Sequence, residues 1–346
     1  MPTLCLPEVI YPEYVITNND IISFINEHHS KVEHKERSIQ MISNTTIEKR
    51  HTIIPFDEII NLGLFGERGF LYEVHAKDLA SQAAKKALLN SGLNKDDITM
   101  VIVTSCTGFM MPSLTAHIIN DLDLDISTIQ LPIAQMGCAA GAFAINRAFE
   151  HCQYSFENNV LIVAVETSSL CFHREANRLQ DFISDSLFGD GVGSVVMRGD
   201  DNCHGMKIMN KKSFVIKKTE SYIQYNITNN GFQFSLDKNV MYSVELVAPY
   251  MWDFIVSELG SVDDIDFFIS HTGGKRILDE VERCLQLNSN ALHHSRECLR
   301  LTGNTSSVAV IDVLKRHFTE RKIGDKGVLS AFGPGFTTEM AIGEWV

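Results

Sequence analysis

The feature that most constrains this chain of 346 residues is an internal duplication, three motifs repeated in the same order. "DDITMVIVTSCTG" at 96–108 resembles "DDIDFFISHTG" at 263–273. "MGCAAGAFAINRAFE" at 136–150 corresponds to "TGNTSSVAVIDVLKR" at 302–316. "FGDGVGSVVMRG" at 188–199 resembles "FGPGFTTEMAIG" at 332–343, each with a glycine eight positions beyond the Phe-Gly-x-Gly. The spacings agree as well: Cys106 to Cys138 is 32 residues, and His271 to Asn304 is 33. A period this long is not that of a solenoid. It implies two copies of one α/β unit, residues 1–205 and 206–346, whose equivalent loops face one central site.

Periodicity fills in the unit. Residues 74–92 have helical spacing and end at Gly92, a C-cap. Residues 98–105 form a short β-branched apolar run, the signature of a buried strand, and "NVLIVAVETSS" and "GVGSVVMRG" read likewise. Residues 138–151 are small and apolar on nearly every face, which predicts a buried helix. Strands alternating with helices indicate an α/β fold with much parallel sheet. No Pro/Gly/Ser-rich linker separates the halves, so they must pack tightly together.

Charge and cysteine usage narrow the function. The formal net charge of −13 argues against nucleic acid or an anionic membrane as partner. Eight cysteines are scattered without a CxxC or a zinc-like Cys/His cluster, as expected of reduced thiols in a cytoplasmic enzyme. The N-terminus lacks the basic and apolar pattern of a signal peptide. No apolar run reaches the ~20 residues of a membrane span.

Cys138 falls where a helix begins, in the positive end of the helix dipole. If pseudo-symmetry brings His271 and Asn304 to it from the second half, a Cys-His-Asn set forms. A nearby imidazole would then lower the thiol pKa and give a thiolate at neutral pH. The bland alternative, a small buried hydrophobe, suits most of the other cysteines.

"GCAAG", "LFGDG", "HTGG", "GNTSS" and "AFGPGFTTE" resemble, in order and spacing, the motifs of type III polyketide synthases, the chalcone-synthase-like enzymes of the thiolase fold. The resemblance runs from about residue 3 to the end. It is strongest to bacterial members that make phloroglucinol. Two motifs depart from the plant pattern, "HTGG" for His-Pro-Gly-Gly and "GNTSS" for Gly-Asn-Met-Ser-Ser, and neither change touches the His or the Asn.

The resemblance implies a five-layered αβαβα arrangement and a decarboxylating Claisen condensation of malonyl-CoA, with no metal, flavin or nicotinamide. Cys138 would hold the acyl chain, while His271 and Asn304 would donate to the enolate oxygen. Phe188 would be a gatekeeper between a CoA tunnel and the cavity. Phe234 matches a second gatekeeper, and it suits an inward-facing core residue equally well. Cys106, Ser168, Cys171 and Ser306 match cavity-lining positions. Met111 matches a residue that reaches into a neighbouring subunit, which implies a homodimer. Lys49, Arg50 and Arg276 are candidates for CoA phosphates, against the simpler reading of solvated surface charge.

His28, His29 and His34 in "NEHHSKVEHKER" suggest a metal site. Adjacent residues cannot share one helix face, so a solvated face is the better reading, with one histidine left as a candidate for a product tunnel. Three other functions remain open: a type III synthase that makes pyrones or alkylresorcinols from an acyl-CoA starter, a β-ketoacyl synthase III-like enzyme using a carrier protein, and a catalytically silent dimeric scaffold.

Overall fold

The duplicated motifs fold into duplicated elements. The computed structural model describes residues 1–346. The chain opens with strands β1 (Thr3–Leu4), β2 (Glu8–Ile10) and β3 (Tyr14–Thr17), helices α1 (Asn18–His28) and α2 (Lys35–Ser43), strand β4 (Lys49–Thr52) and the single turn α3 (Phe56–Ile59). Then come α4 (Phe65–Ser91), β5 (Met100–Thr104), α5 (Leu114–Asp121), β6 (Ile129–Ile133), α6 (Ala140–Cys152), β7 (Val160–Glu166), α7 (Leu179–Leu187) and β8 (Gly191–Arg198). The second half runs through β9 (Met206–Val215), the hairpin β10 (Ile223–Thr228) and β11 (Gly231–Leu236), α8 (Ser243–Leu259), β12 (Phe267–Ser270), α9 (Lys275–Leu285), α10 (His293–Thr302), α11 (Ala309–His317), β13 (Lys326–Gly333) and β14 (Thr337–Trp345).

Pairing repeats between the halves. β5 lies parallel to β7, and β7 antiparallel to β8. In the second half β12 lies parallel to β13, and β13 antiparallel to β14. β1 runs antiparallel to β8, as β9 does to β14. β1 and β9 also pair with each other, Thr3 opposite Lys207, and so join both halves into one mixed ten-stranded sheet. The long α4 ends as its sequence demands, with Gly92 left-handed at φ 71.

Alternation along the strands builds five layers. On β7, Leu161, Val163 and Val165 pack with the buried alanines of α4, while Val160, Ile162 and Ala164 face the other way, toward α6 and α11. On the other side of that helix pair, Leu329 of β13 and Ala341 of β14 join the same central core. Their neighbours Val328 and Ile342 point outward to α8 and α9. The order is helix, sheet, helix pair, sheet, helix, the thiolase-like arrangement. The α6 and α11 pair is buried from both sides, which explains the small apolar residues of "CAAGAFAI". No helix is long and apolar enough to cross a membrane.

Candidate active site

Cys138 sits in a single 3₁₀ turn, Gly137–Ala139, that leads directly into α6. Its counterpart in the second half is the turn Ser306–Val308, which leads into α11. The two turns are pressed together. A Cβ on Gly141 would stand 2.2 Å from the Ser307 carbonyl oxygen, and one on Gly137 would stand 2.8 Å from Pro334. Gly137 and Gly141 are therefore glycines of close approach. "FGPG" is a tight turn against the nucleophile, as its sequence suggests.

His271 leaves the end of β12, its N–H donating to the Ser330 carbonyl at 2.9 Å. Asn304 is held by its backbone: its N–H donates to the Leu187 carbonyl at 2.8 Å, and its carbonyl accepts from Gly189 at 3.1 Å. This is the bridge that ties "GNTSS" to "LFGDG". Both side chains are 2 % exposed.

The three residues meet at Ser306. The Ser306 N–H donates to Asn304 Oδ1 at 2.8 Å. The Ser306 backbone also raises the affinity of His271 for a proton. The side chains of Ser306 and Asn304, and the backbone N–H of Cys138 itself, favour the Cys138 thiolate. Ser306 holds a left-handed backbone, φ 50, to make this junction.

Burial opposes the expected resting ion pair. Burial pushes the Cys138 thiol up to about 12, and the Glu166 charge adds to the rise. Burial likewise pushes the His271 imidazole down to about 4. Dehydration works against the charge on each group, and the donors around Ser306 work for it.

Behind Ser306 lies a buried acid that sequence inspection missed. Glu166, at the end of β7, accepts from Ser307 Oγ at 2.5 Å, Thr107 Oγ1 at 3.0 Å and the Cys106 N–H at 3.2 Å. Burial raises its pKa. The Cys106 thiol lies 3.5 Å from Glu166 and 3.7 Å from Ser306 Oγ, so Cys106 and Ser306 do border the site. Asp190 of "FGDG" is a second buried acid. It accepts from the N–H groups of Ser169 and Ile53, and burial raises it to about 6.

Phe188 and Phe234 stack with centroids 5.4 Å apart and line one cavity with Ser168 and Cys171. Phe234 is thus a wall of the cavity, and the plain core reading falls away. Met111 is 87 % exposed and stands off the surface. Lys49 is half-buried and Arg276 exposed.

Arg50 contradicts its assignment to CoA. It is 1 % exposed, and its Nε and Nη2 donate to the Ser186 carbonyl and to Asn18 Oδ1. The histidines also divide. His28 and His34 are exposed, while His29 is buried, its Nε2 bonded to the Arg174 carbonyl at 2.9 Å and its ring against Phe24 and Phe182. The solvated-face reading fails for His29, because the chain bends at the end of α1 and turns that ring inward.

Comparison with known proteins agrees with this architecture. The models for the N-terminal and C-terminal domains of chalcone and stilbene synthases match residues 1–201 and 207–344. The phloroglucinol synthase of Pseudomonas fluorescens is 48 % identical, with 100 % of this chain and 99 % of that protein covered. The 1,3,6,8-tetrahydroxynaphthalene synthase of Streptomyces coelicolor is 39 % identical, covering 100 % of this chain and 92 % of that one. Its crystal structure, described as a bacterial type III polyketide synthase, superimposes with a TM-score of 0.96 over 99 % of both chains.

Proposed function

The chain belongs to the chalcone and stilbene synthase family and is a type III polyketide synthase, an acyltransferase-class enzyme; from that premise we propose that it condenses three malonyl-CoA units to phloroglucinol on Cys138. The observation that carries this reading is the convergence of Cys138, Asn304 and His271 on Ser306, with Asn304 bridged through the backbone to Phe188 on the wall of a neighbouring cavity.

The chemistry follows from the geometry. As Cys138 attacks the starter thioester, its proton passes to His271 and then to the departing CoA thiolate. The new carbon–sulfur bond to Cys138 replaces the one to CoA. A second malonyl-CoA then loses carbon dioxide. The carbon–carbon electron pair becomes an enolate, whose oxygen accepts hydrogen bonds from His271 and Asn304. A neutral His271 is suited to this role, since one ring nitrogen carries the proton it donates. The apolar Phe188 ring favours neutral carbon dioxide over a carboxylate. The enolate carbon attacks the Cys138-bound acyl group, forming a carbon–carbon bond and freeing the sulfur.

The lengthened chain, now a CoA thioester, passes back to Cys138 with release of CoA, and the cycle repeats once. The starter's own carboxyl then leaves as the third carbon dioxide. The carbon it leaves behind attacks the Cys138 thioester, closing a six-carbon ring and freeing the sulfur. A cavity that folds the chain back supplies the proximity this needs. No step requires a metal or a redox cofactor, because each is an acyl transfer, a decarboxylation or a proton transfer. We also propose that the enzyme is cytoplasmic, and that Lys49 and Arg276 meet the CoA phosphates.

The test is labelled malonyl-CoA supplied alone, with products identified by mass. A labelled trihydroxybenzene supports the assignment. Triacetic-acid-type lactone alone, or no product until another acyl-CoA is added, refutes it and favours a starter-dependent pyrone or resorcinol synthase.

A further inference from the structure

Two polar groups with no partner in the chain lie at the cavity beside the Phe188 and Phe234 rings. The first is Asp185, on α7 one turn before Phe188, which lines the cavity with Arg50, Ser168, Cys171 and Phe172. Its carboxyl accepts no hydrogen bond and joins no ion pair. Asp181, one turn earlier, differs: it accepts the Arg178 N–H at 2.9 Å and pairs with that guanidinium. The second group is Arg50. Its Nε and Nη2 are committed to Ser186 and Asn18, but Nη1 is buried with no partner.

Burial and the Asp181 charge raise the Asp185 carboxyl well above the ordinary range, which favours its protonated form. The cavity therefore offers one unpartnered carboxyl, a hydrogen-bond donor in its protonated form. A hydrocarbon chain would leave it unsatisfied. A chain carrying keto oxygens would satisfy it. One wall of the cavity, Phe188, is bridged through the backbone to Asn304, whose side chain favours the Cys138 thiolate.

Resting on the synthase reading above, we propose that Asp185 is a specificity-determining residue: it donates a hydrogen bond to a keto oxygen of the poly-β-keto chain held on Cys138. The consequence lies in how the chain closes. If the enol oxygen attacks the thioester, a carbon–oxygen bond forms, the carbon–sulfur bond to Cys138 breaks, and a lactone leaves. If a carbanion attacks the same carbon, a carbon–carbon bond forms, the same carbon–sulfur bond breaks, and a carbocycle leaves. In both cases the sulfur departs as thiolate and takes the proton that the nucleophile lost. An oxygen held by Asp185 is turned away from the thioester, so carbon closure wins.

The experiment compares the wild-type enzyme with Asp185→Asn and Asp185→Leu on labelled malonyl-CoA. It measures the ratio of ring to lactone and, by intact mass, the acylation of Cys138. Asp185→Leu removes the donor and should lower the ratio about tenfold, the worth of one hydrogen bond. Asp185→Asn keeps a donor at the same reach and should stay within about twofold of wild type. Acylation of Cys138 should be equal in all three, and if Asp185→Leu fails to acylate, Asp185→Ala is read in its place. An unchanged ratio in the donor-less variant overturns the inference, and so does an equal fall in Asp185→Asn. A wild-type enzyme that makes only lactone overturns the phloroglucinol reading as well, which separates the two failures.

Discussion

Ser306 is where the residue-scale chemistry is decided. It spends a left-handed backbone conformation to face Cys138, His271 and Asn304 at once. Its hydroxyl favours the thiolate, whereas the Glu166 charge opposes it. With the thiol near 12, alkylation of Cys138 by iodoacetamide should keep rising with pH up to alkaline values. Ser306→Ala should move that profile to still higher pH, because a donor to the thiolate is lost. Glu166→Gln should move it lower, because a neighbouring negative charge is removed. Profiles that shift in the same direction would contradict this balance. Cys138→Ala should abolish condensation and keep the fold, while Cys138→Gln should still decarboxylate malonyl-CoA. Asn304→Ala should cost about 3 kcal/mol in the decarboxylation barrier, roughly two orders of magnitude in rate, with acylation of Cys138 far less affected. Single-turnover decarboxylation and acylation rates separate these effects.

At the scale of elements, the paired turns before α6 and α11 fix the nucleophile against the donors. Gly141→Ala would drive a methyl group into the Ser307 carbonyl, with Val310 Cγ1 at 2.7 Å behind it. The expected loss is about 1–3 kcal/mol of stability, with lower activity, because α6 must retreat and take Cys138 with it. Calorimetry checks the first effect and the acylation rate the second. These turns were legible in the sequence, because glycines and polar loop residues are local signals and the duplication repeats them. The partners of Arg50 were not. Its guanidinium meets Ser186, 136 residues away, and nothing in "IEKRH" distinguishes a buried cation from a solvated one. Glu166 ends an apolar strand as a lone acid, and only the folded chain brings Ser307 to it from 141 residues away. His29 was hidden for the same reason: its partner Arg174 lies 145 residues off. Motif and period expose what the backbone must do, whereas long-range burial decides which charges stay inside.

At the scale of the whole molecule, one edge of the sheet is unfinished. β6 pairs only with β5, and its outer edge is bare. Around the same end of the first half, Phe109 is 68 % exposed, Met111 87 %, Ile126 102 % and Ile129 48 %. A bare strand edge beside large apolar side chains is unfavourable in water and favours pairing with another chain. Pro132 within β6 removes one donor from that edge, so side-chain burial must supply much of the contact. We propose that a second copy covers this face and that Met111 of each copy enters the other, as the family resemblance implies. Analytical ultracentrifugation should then show a dimer at micromolar concentration. Ile129→Lys places a charge on the edge strand of both protomers. Losing the burial of two isoleucines costs about 3–6 kcal/mol, so the dissociation constant should rise at least about a hundredfold. A Met111→Ala enzyme that still dimerises should alter the product ratio if the side chain lines the partner's cavity, and leave it unchanged if Met111 only seals the interface. A wild-type chain that sediments as a monomer across that concentration range would remove the partner from the site.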